Sequence, residues 1–276
     1  MPELPEVQTT VNGLQKRVLG RTFVRVWSDW QKTVTFPRKF AAFKKQLKGK
    51  KILRVWRRGK NVIFELSDGY SLLIHMKMTG HLLVEPWNTQ DPMNGYLHIM
   101  FFLDDGRKIA LSDLRKFAKV ELRPTKELLQ IFEGLGPEPL EKIFTFEKFE
   151  KLFVRKKGKV KEIIMRPSFI AGIGNIYASE ALWWAKIHPA KDVSRLNARE
   201  LKLLYGAIKK VLQLGINFGG DSFSDYRDVD GNKGEFEGSK KVYQREGEKC
   251  FRCKSVIKRL VIAQRSSFYC PRCQRL

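Results

Sequence analysis

The chain has 276 residues and carries 53 Lys and Arg against 29 Asp and Glu, a formal net charge of +24. Hydrophobic residues make up 43%, enough for a sizeable core, which excludes wholesale disorder. So basic a surface calls for a polyanion, and nucleic acid fits best because its dense phosphates release counterions when neutralised. A membrane is the weaker match: the sequence has no apolar run of about 18 residues and no signal-peptide pattern. All four cysteines lie in the last 27 residues, so they do not form a dispersed disulfide framework. A reducing, cytoplasmic compartment is expected.

The first helix is predicted just after the opening "MPELPEV". Val7, Val11, Leu14 and Val18 recur at helical spacing, and Gly20 is a plausible stop. From about 22 to 123 the texture changes to short β-branched and aromatic runs. Turn signals at Ser67-Asp68-Gly69 and Asp104-Asp105-Gly106 separate them, as in a sandwich or barrel of hairpins. The stretch "GLGPEPLE" reads as a linker, and the pattern then becomes helical. Thr145 is a candidate N-cap. So is Asn197, ahead of a helix whose face is Leu201, Leu204, Tyr205, Ile208, Val211 and Leu212 and whose stop is Gly215. Residues 219–239 are polar and glycine-rich, a long loop of the functional or mobile kind. The expected segmentation is a catalytic domain over 1–133, a linker over 134–144, a helical domain over 145–240 and a cysteine module over 241–276. The fold class is α+β multidomain.

Cys250, Cys253, Cys270 and Cys273 form two C-x-x-C pairs separated by 16 residues, the spacing of a four-thiolate zinc site. Four sulfurs leave no open coordination position, so one structural zinc is expected. So short a module cannot bury enough core to fold alone, and metal binding supplies the missing free energy. Arg252, Lys254, Lys258, Arg259, Arg265 and Arg272 surround the cysteines, which marks the module as a DNA-contacting element. In "FIAGIGNIYASEAL", Gly172 and Gly174 precede an apolar helix. Two readings stand there: a tight turn between packed helices, or a helix start that places its N–H groups and Asn175 on a phosphate.

The opening carries chemistry of its own. Methionine followed by a small residue is readily trimmed, leaving Pro2 as a free secondary amine beside Glu3 and Glu6. These residues also suit an ordinary helix start, where proline presets φ and carboxylates favour the positive dipole end. Yet at neutral pH roughly one α-amine in ten is free base, against fewer than one lysine in a thousand. A secondary amine attacking an aldehyde-level carbon gives a cationic iminium, and a neighbouring carboxyl can protonate the departing oxygen. Such machinery suits attack on a deoxyribose C1′.

"PELPEV" resembles the start of the formamidopyrimidine-DNA glycosylase family, and the resemblance runs along most of the chain. "RRGKNVIFEL" is similar to the family's lysine turn, which implies Lys60 as the active-site lysine. "HMKMTG" resembles the segment that supplies a phosphate-contacting histidine and an intercalating methionine, here His75 and Met78. "DLRKF" resembles the loop that supplies the other two void-filling residues, Arg115 and Phe117. Taken singly, Met78 and Phe117 read as core, Arg115 as a solvated charge and His75 as a strand histidine. "GIGNIYASEALWWAKIHP" and "CPRCQ" resemble the family's helix–two-turn–helix and zinc finger, with Asn175 and Arg265 as DNA contacts.

The resemblance implies an N-terminal β-sandwich with flanking helices, then the helical domain and zinc finger, with a basic cleft for the duplex. It implies a monomeric base-excision repair enzyme in the bacterial cytoplasm, excising 8-oxoguanine and formamidopyrimidines from double-stranded DNA and then cleaving the strand. Pro2 is the implied nucleophile, Glu3 the acid/base and Glu6 a support. Two alternatives are the sister endonuclease VIII type, which prefers oxidised pyrimidines, and an inactive DNA-binding scaffold. Arg166-Pro167 replaces an acid and a glutamine usual in the family, and Pro167 is expected to end the helix before the glycine turn. The 219–239 loop stands where the family has its base-capping loop.

Overall fold

The computed structural model describes residues 1–88, 95–222 and 225–276. The chain divides into two compact units. The first is Met1–Glu133 with Phe218–Glu237, and the second is Gly134–Asn217 with Gly238–Leu276.

In the first unit α1 (Leu4–Val18) starts with Pro5 in its first turn and ends before Gly20, whose φ is +76°. Then follow β1 (Phe23–Ser28), β2 (Val34–Phe36), α2 (Phe40–Leu47), β3 (Ile52–Arg58), β4 (Asn61–Leu66) and β5 (Tyr70–His75). The remaining elements are β6 (His81–Pro86), β7 (Leu97–Leu103), β8 (Arg107–Ser112), β9 (Lys119–Pro124) and the single turn α3 (Leu128–Ile131). They make two sheets, in the orders β1-β7-β8-β6 and β2-β9-β5-β4-β3. All neighbours are antiparallel except β2 and β9.

Alternation builds the sandwich. Phe101, Leu103, Ile109 and Leu111 from one sheet join Val62, Phe64, Leu72, Ile74, Val120 and Leu122 from the other in one buried cluster. Val7, Val11, Leu14 and Val18 of α1 complete it, which is the face read from the sequence. Phe23 sits at its centre, edge-on to Phe64 at 6.4 Å and to Phe101 at 5.9 Å. Aromatic pairs in this geometry add to the burial energy.

The second unit contains α4 (Phe146–Phe153), α5 (Val160–Ile164), α6 (Asn175–Ala185), α7 (Ala198–Asn217) and the hairpin β10 (Lys258–Ile262) with β11 (Arg265–Tyr269). Thr145 caps α4 by accepting the Lys148 N–H. Asn197 and Glu200 exchange bonds at the start of α7, with Asn197 Oδ1 accepting at 2.9 Å and Glu200 Oε2 at 3.1 Å. Helix α5 stops before Pro167, as expected. Among the described residues no helix is long and apolar enough to cross a membrane.

Gly215 does not stop α7, which continues to Asn217. A Cβ at 215 would lie 2.5 Å from the Tyr177 ring of α6, so glycine stands there because two helices touch. The compact units also follow the chain differently from the expected segmentation. Residues Phe218–Glu237 return to the first unit instead of staying with the helices. The stretch 134–144 is bonded into the second unit, through Gly136 N–H to the Pro167 carbonyl at 2.9 Å and Ala171 N–H to the Pro137 carbonyl at 3.0 Å.

Candidate active site and nucleic-acid interface

The chain start is held from below. Met1 is exposed, whereas Pro2 and Leu4 are buried, and Glu3 and Glu6 are only 3% and 2% exposed. Glu3 is the N-cap of α1, and its N–H donates to Glu6 Oε2 at 2.7 Å. Glu6 Oε1 accepts the N–H of Asp221 at 2.8 Å, and the Tyr226 hydroxyl donates to the Glu6 carbonyl at 3.0 Å. Burial pushes the Tyr226 phenol up, so it stays protonated and able to donate. A Cβ at Gly220, whose φ is +89°, would lie 2.9 Å from Glu6 Cγ. Only glycine brings the 218–222 backbone this close. Gly220, Asp221 and Tyr226 therefore join the candidate site; the sequence marked them only as part of the glycine-rich 219–239 loop, not as individual residues.

Lys60 lies in a two-residue turn between β3 and β4, after Gly59 at φ +57°. Glycine at the first turn position suits the tight connection of a twisted hairpin. Arg57 ties this turn to α1: its Nε donates to Gln8 Oε1 at 3.0 Å and its Nη1 to the Gly59 carbonyl at 2.9 Å. His75 ends β5 opposite Asn61 and Lys119. Its pKa is lowered to about 3, by burial first, then by the charges of Lys77, Lys60 and Lys119. The ring is thus neutral in the working range. Lys77 N–H donates to His75 Nδ1 at 3.0 Å, so the ring proton sits on Nε2, which becomes a hydrogen-bond donor. A neutral donor suits a phosphate among lysines.

Met78, Arg115 and Phe117 come together on the surface. Arg115 Nη1 lies 3.5 Å from Met78 Sδ, and its guanidinium is 4.6 Å from the Phe117 ring centre. Met78 is 41% and Phe117 49% exposed, the reverse of the core reading each would receive alone. Two turns hold the group. Gly80 N–H closes one onto the Met76 carbonyl, where a Cβ would come within 2.4 Å of that oxygen. Buried Asp113 organises the other, accepting the N–H of Ala118 at 2.7 Å and of Arg115 at 3.3 Å, and also the Thr79 hydroxyl.

In the second unit Gly172, at φ +84°, turns the chain so that Gly174 caps α6 and Asn175 opens it. Asn175 Nδ2 donates to the Ser266 carbonyl at 3.1 Å, and its buried Oδ1 has no hydrogen-bond partner among the described residues. The same carbonyl accepts from Lys161 Nζ at 3.1 Å, and that ammonium also reaches Ser267 Oγ at 2.8 Å. Lys161 is 1% exposed and was not singled out from the sequence. Asn175, Arg259, Arg265, Tyr243 and Phe268 line a cavity of about 440 Å³. Asn175 and Arg265 thus share one open, mostly polar recess, which Gln244, Glu246 and Ser266 also line.

Sγ atoms of Cys250, Cys253, Cys270 and Cys273 all lie within 4.8 Å of one another, and none is in a disulfide. A tetrahedron with Zn–S bonds of about 2.3 Å needs sulfurs about 3.8 Å apart, so the four thiols fit one zinc ion. Arg252 does not face outward as a DNA contact. Its guanidinium stacks 3.7 Å above the Trp183 ring and donates to the Trp183 and Trp184 carbonyls at 2.6 and 3.1 Å, closing the end of α6. Fully buried Glu180 of α6 accepts the N–H groups of Lys241, Val242 and Tyr243 at 2.8 to 2.9 Å. Gln274 joins the last cysteine turn to the Ile187 carbonyl at 2.9 Å.

Comparison with known proteins agrees with this geometry. The formamidopyrimidine-DNA glycosylase N-terminal domain model matches residues 1–120, the H2TH domain model of the same proteins matches 135–227, and the zinc finger found in FPG and IleRS matches 247–276. Relatives named formamidopyrimidine-DNA glycosylase include one from Heliobacterium modesticaldum, 41% identical over 278 residues, and one from Protochlamydia amoebophila, 39% identical over 280. Each comparison covers 100% of both chains. Among solved structures, Lactococcus lactis Fpg in complex with an abasic site containing DNA is similar with a TM-score of 0.91 and 34% identity. That match covers 99% of this chain and 100% of the other. The buried acids behind Pro2, the exposed Met78–Arg115–Phe117 group and the four-thiol knuckle thus belong to a chain of the formamidopyrimidine-DNA glycosylase family.

Proposed function

We propose that this chain excises oxidised purines from double-stranded DNA and then cleaves the strand, with Pro2 as nucleophile. The observation that carries the reading is the buried Pro2–Glu3–Glu6 start, in a chain whose relatives bear the glycosylase name. Removal of exposed Met1 frees the Pro2 amine. Its lone pair forms a bond to C1′ while the C1′–N9 bond breaks and the base departs with that electron pair. The amine proton is lost, the nitrogen lone pair opens the sugar ring, and O4′ takes a proton from Glu3. The product is an iminium. Loss of a C2′ proton then expels the 3′ phosphate, and a second elimination expels the 5′ phosphate.

Glu6 positions. Its carboxylate holds the Glu3 amide and the Asp221 amide, so the reacting end and the 218–222 backbone keep one geometry. Lys60 and the neutral His75 bind phosphates near the lesion. Met78, Arg115 and Phe117 fill the gap left by the everted nucleotide, whose extraction costs a few kcal/mol. Asn175 and Arg265 hold a further phosphate. Bound zinc would hold the four thiolates together and keep the β10–β11 hairpin folded.

Borohydride trapping on 8-oxoguanine duplex, read by intact-protein mass spectrometry, tests this. The trapped species should form only on protein that begins at Pro2. A Pro2→Gly variant that trapped and nicked as fast as the parent would refute the assignment. Faster cleavage of thymine glycol than of 8-oxoguanine would refute the substrate class.

A further inference from the structure

The turn that follows β1 is bolted to β7. Ser28 Oγ accepts the Trp30 N–H at 3.1 Å and donates to the His98 carbonyl at 2.6 Å, while His98 Nδ1 pairs with Asp29 at 3.0 Å. These bonds fix the Trp30 backbone, and its ring is half-buried. Lys116 Nζ lies 4.9 Å from its centre. Lys116 stands between Arg115 and Phe117 in the sequence and has φ +57°. A long side chain seldom occupies that region, and the conformation persists only when its surroundings hold it. The Asp113 carboxylate holds the N–H groups of Arg115 and Ala118 on either side, and two contacts hold Lys116 itself: its N–H on the Asp113 carbonyl at 3.1 Å, and its ammonium on the indole face. Lys32 shares the ring at 5.2 Å but belongs to the Trp30 turn itself, so it restrains nothing else.

We propose that Trp30 is a positioning residue for the Met78–Arg115–Phe117 plug, pinning Lys116 so that its neighbours on either side point outward together. If Lys116 leaves the left-handed region, the backbone on both sides of it turns, and the Arg115 and Phe117 side chains are redirected with it. Trp30 need not touch DNA. The inference rests on the reading that this plug replaces an everted nucleotide.

The full chain tests it on a duplex with 2-aminopurine beside the lesion, whose fluorescence reports unstacking, together with single-turnover excision. An exposed cation–π contact corresponds to about two- to fivefold in population. Trp30→Leu, which keeps apolar bulk but has no π face, should lower the plugged fraction and the excision rate by that factor. Trp30→Phe should recover most of the loss. Lys116→Met should show the same loss, and the double variant should be no worse than either single one, as a shared contact requires. Additive losses would mean that Lys116 acts on DNA by itself, and would overturn the proposal. So would a Trp30→Leu protein that matches the parent. If the parent itself produced no unstacking signal on lesion DNA, the plug reading would fall, and this inference with it. Unchanged zinc content and unfolding temperature in each variant show that folding is not the cause.

Discussion

Glu6 in the first unit and Glu180 in the second are the same device used for different ends. Each is a buried carboxylate on a helix, and each receives backbone N–H groups from a segment far along the chain. Glu6 takes one from Asp221, 215 residues away, and a second from Glu3 at the chain start. Glu180 takes three, all from 241–243, where the chain enters the cysteine module. Burial pushes the Glu180 carboxyl up, against three donors that favour its charged form. The difference is in what the anchored segment does. Glu180 serves a module that the sequence places 60 residues downstream, and no predicted chemistry touches it. Glu6 couples a loop to the chain start proposed as catalytic, so on that proposal its loss should affect rate as well as fold.

The largest expected effect is on the Glu180 side. Glu180→Ala leaves the buried Val242 N–H and the half-buried N–H groups of Lys241 and Tyr243 without this acceptor, which should cost about 3 kcal/mol. Zinc should leave more readily, read by chelator competition, and DNA affinity should fall with it. Glu180→Gln keeps one accepting oxygen and should cost less. If Glu180→Ala retained zinc and stability, the device would be ornamental. Next comes Glu6→Gln, which leaves one of two N–H groups facing an amide nitrogen at about 1–3 kcal/mol. Iminium trapping should fall further than thermal unfolding accounts for. Equal loss in both readouts would make Glu6 merely structural and erase the contrast.

Acid tests the first unit by a different route. His75 and His81 of the first unit are lowered by burial to about 3 and about 4. The unfolded chain therefore takes up protons below pH 6.5, while the folded chain waits until about 4 and then about 3. Stability is fully present above 6.5 and falls as pH drops through that window, by up to about 1.4 kcal/mol per pH unit for each histidine. His75→Asn should remove one proton from the slope measured by urea unfolding between pH 6 and 4. An unchanged slope would refute the assignment. The smallest effects sharpen the Glu180 side. Gly215→Ala drives a methyl into Tyr177, which sits on α6 three residues before Glu180, and should cost about 1–3 kcal/mol with some loosening of zinc. Gly206→Ala, on the same helix but facing open space, should stabilise by about 0.5–1 kcal/mol and leave zinc alone. Similar results for the two glycines would dissolve the link from α6 to the module.

Local patterns carried what local physics controls. The α1 face of Val7, Val11, Leu14 and Val18, the Thr145 and Asn197 caps and the helix stop before Pro167 follow from helical spacing and capping within a few residues. The zinc knuckle was legible because thiolate pairs on tight turns need a set spacing, whatever surrounds them. Gly215 was misread because its reason is Tyr177, 38 positions earlier; only packing shows a glycine that admits a ring. Arg252 looked like one more surface cation until the end of α6 arrived beneath it. The return of 218–237 to the first unit, Gly220 against Glu6, and the Trp30–Lys116 contact join segments far apart along the chain. By itself, the amino-acid order determined the chemistry available: a proline behind the first methionine with two acids near it, a methionine, an arginine and a phenylalanine on turns, four thiols and a basic surface. Tertiary structure alone decided which carboxylate holds which loop, because a buried charge must find its donors wherever the folded backbone brings them.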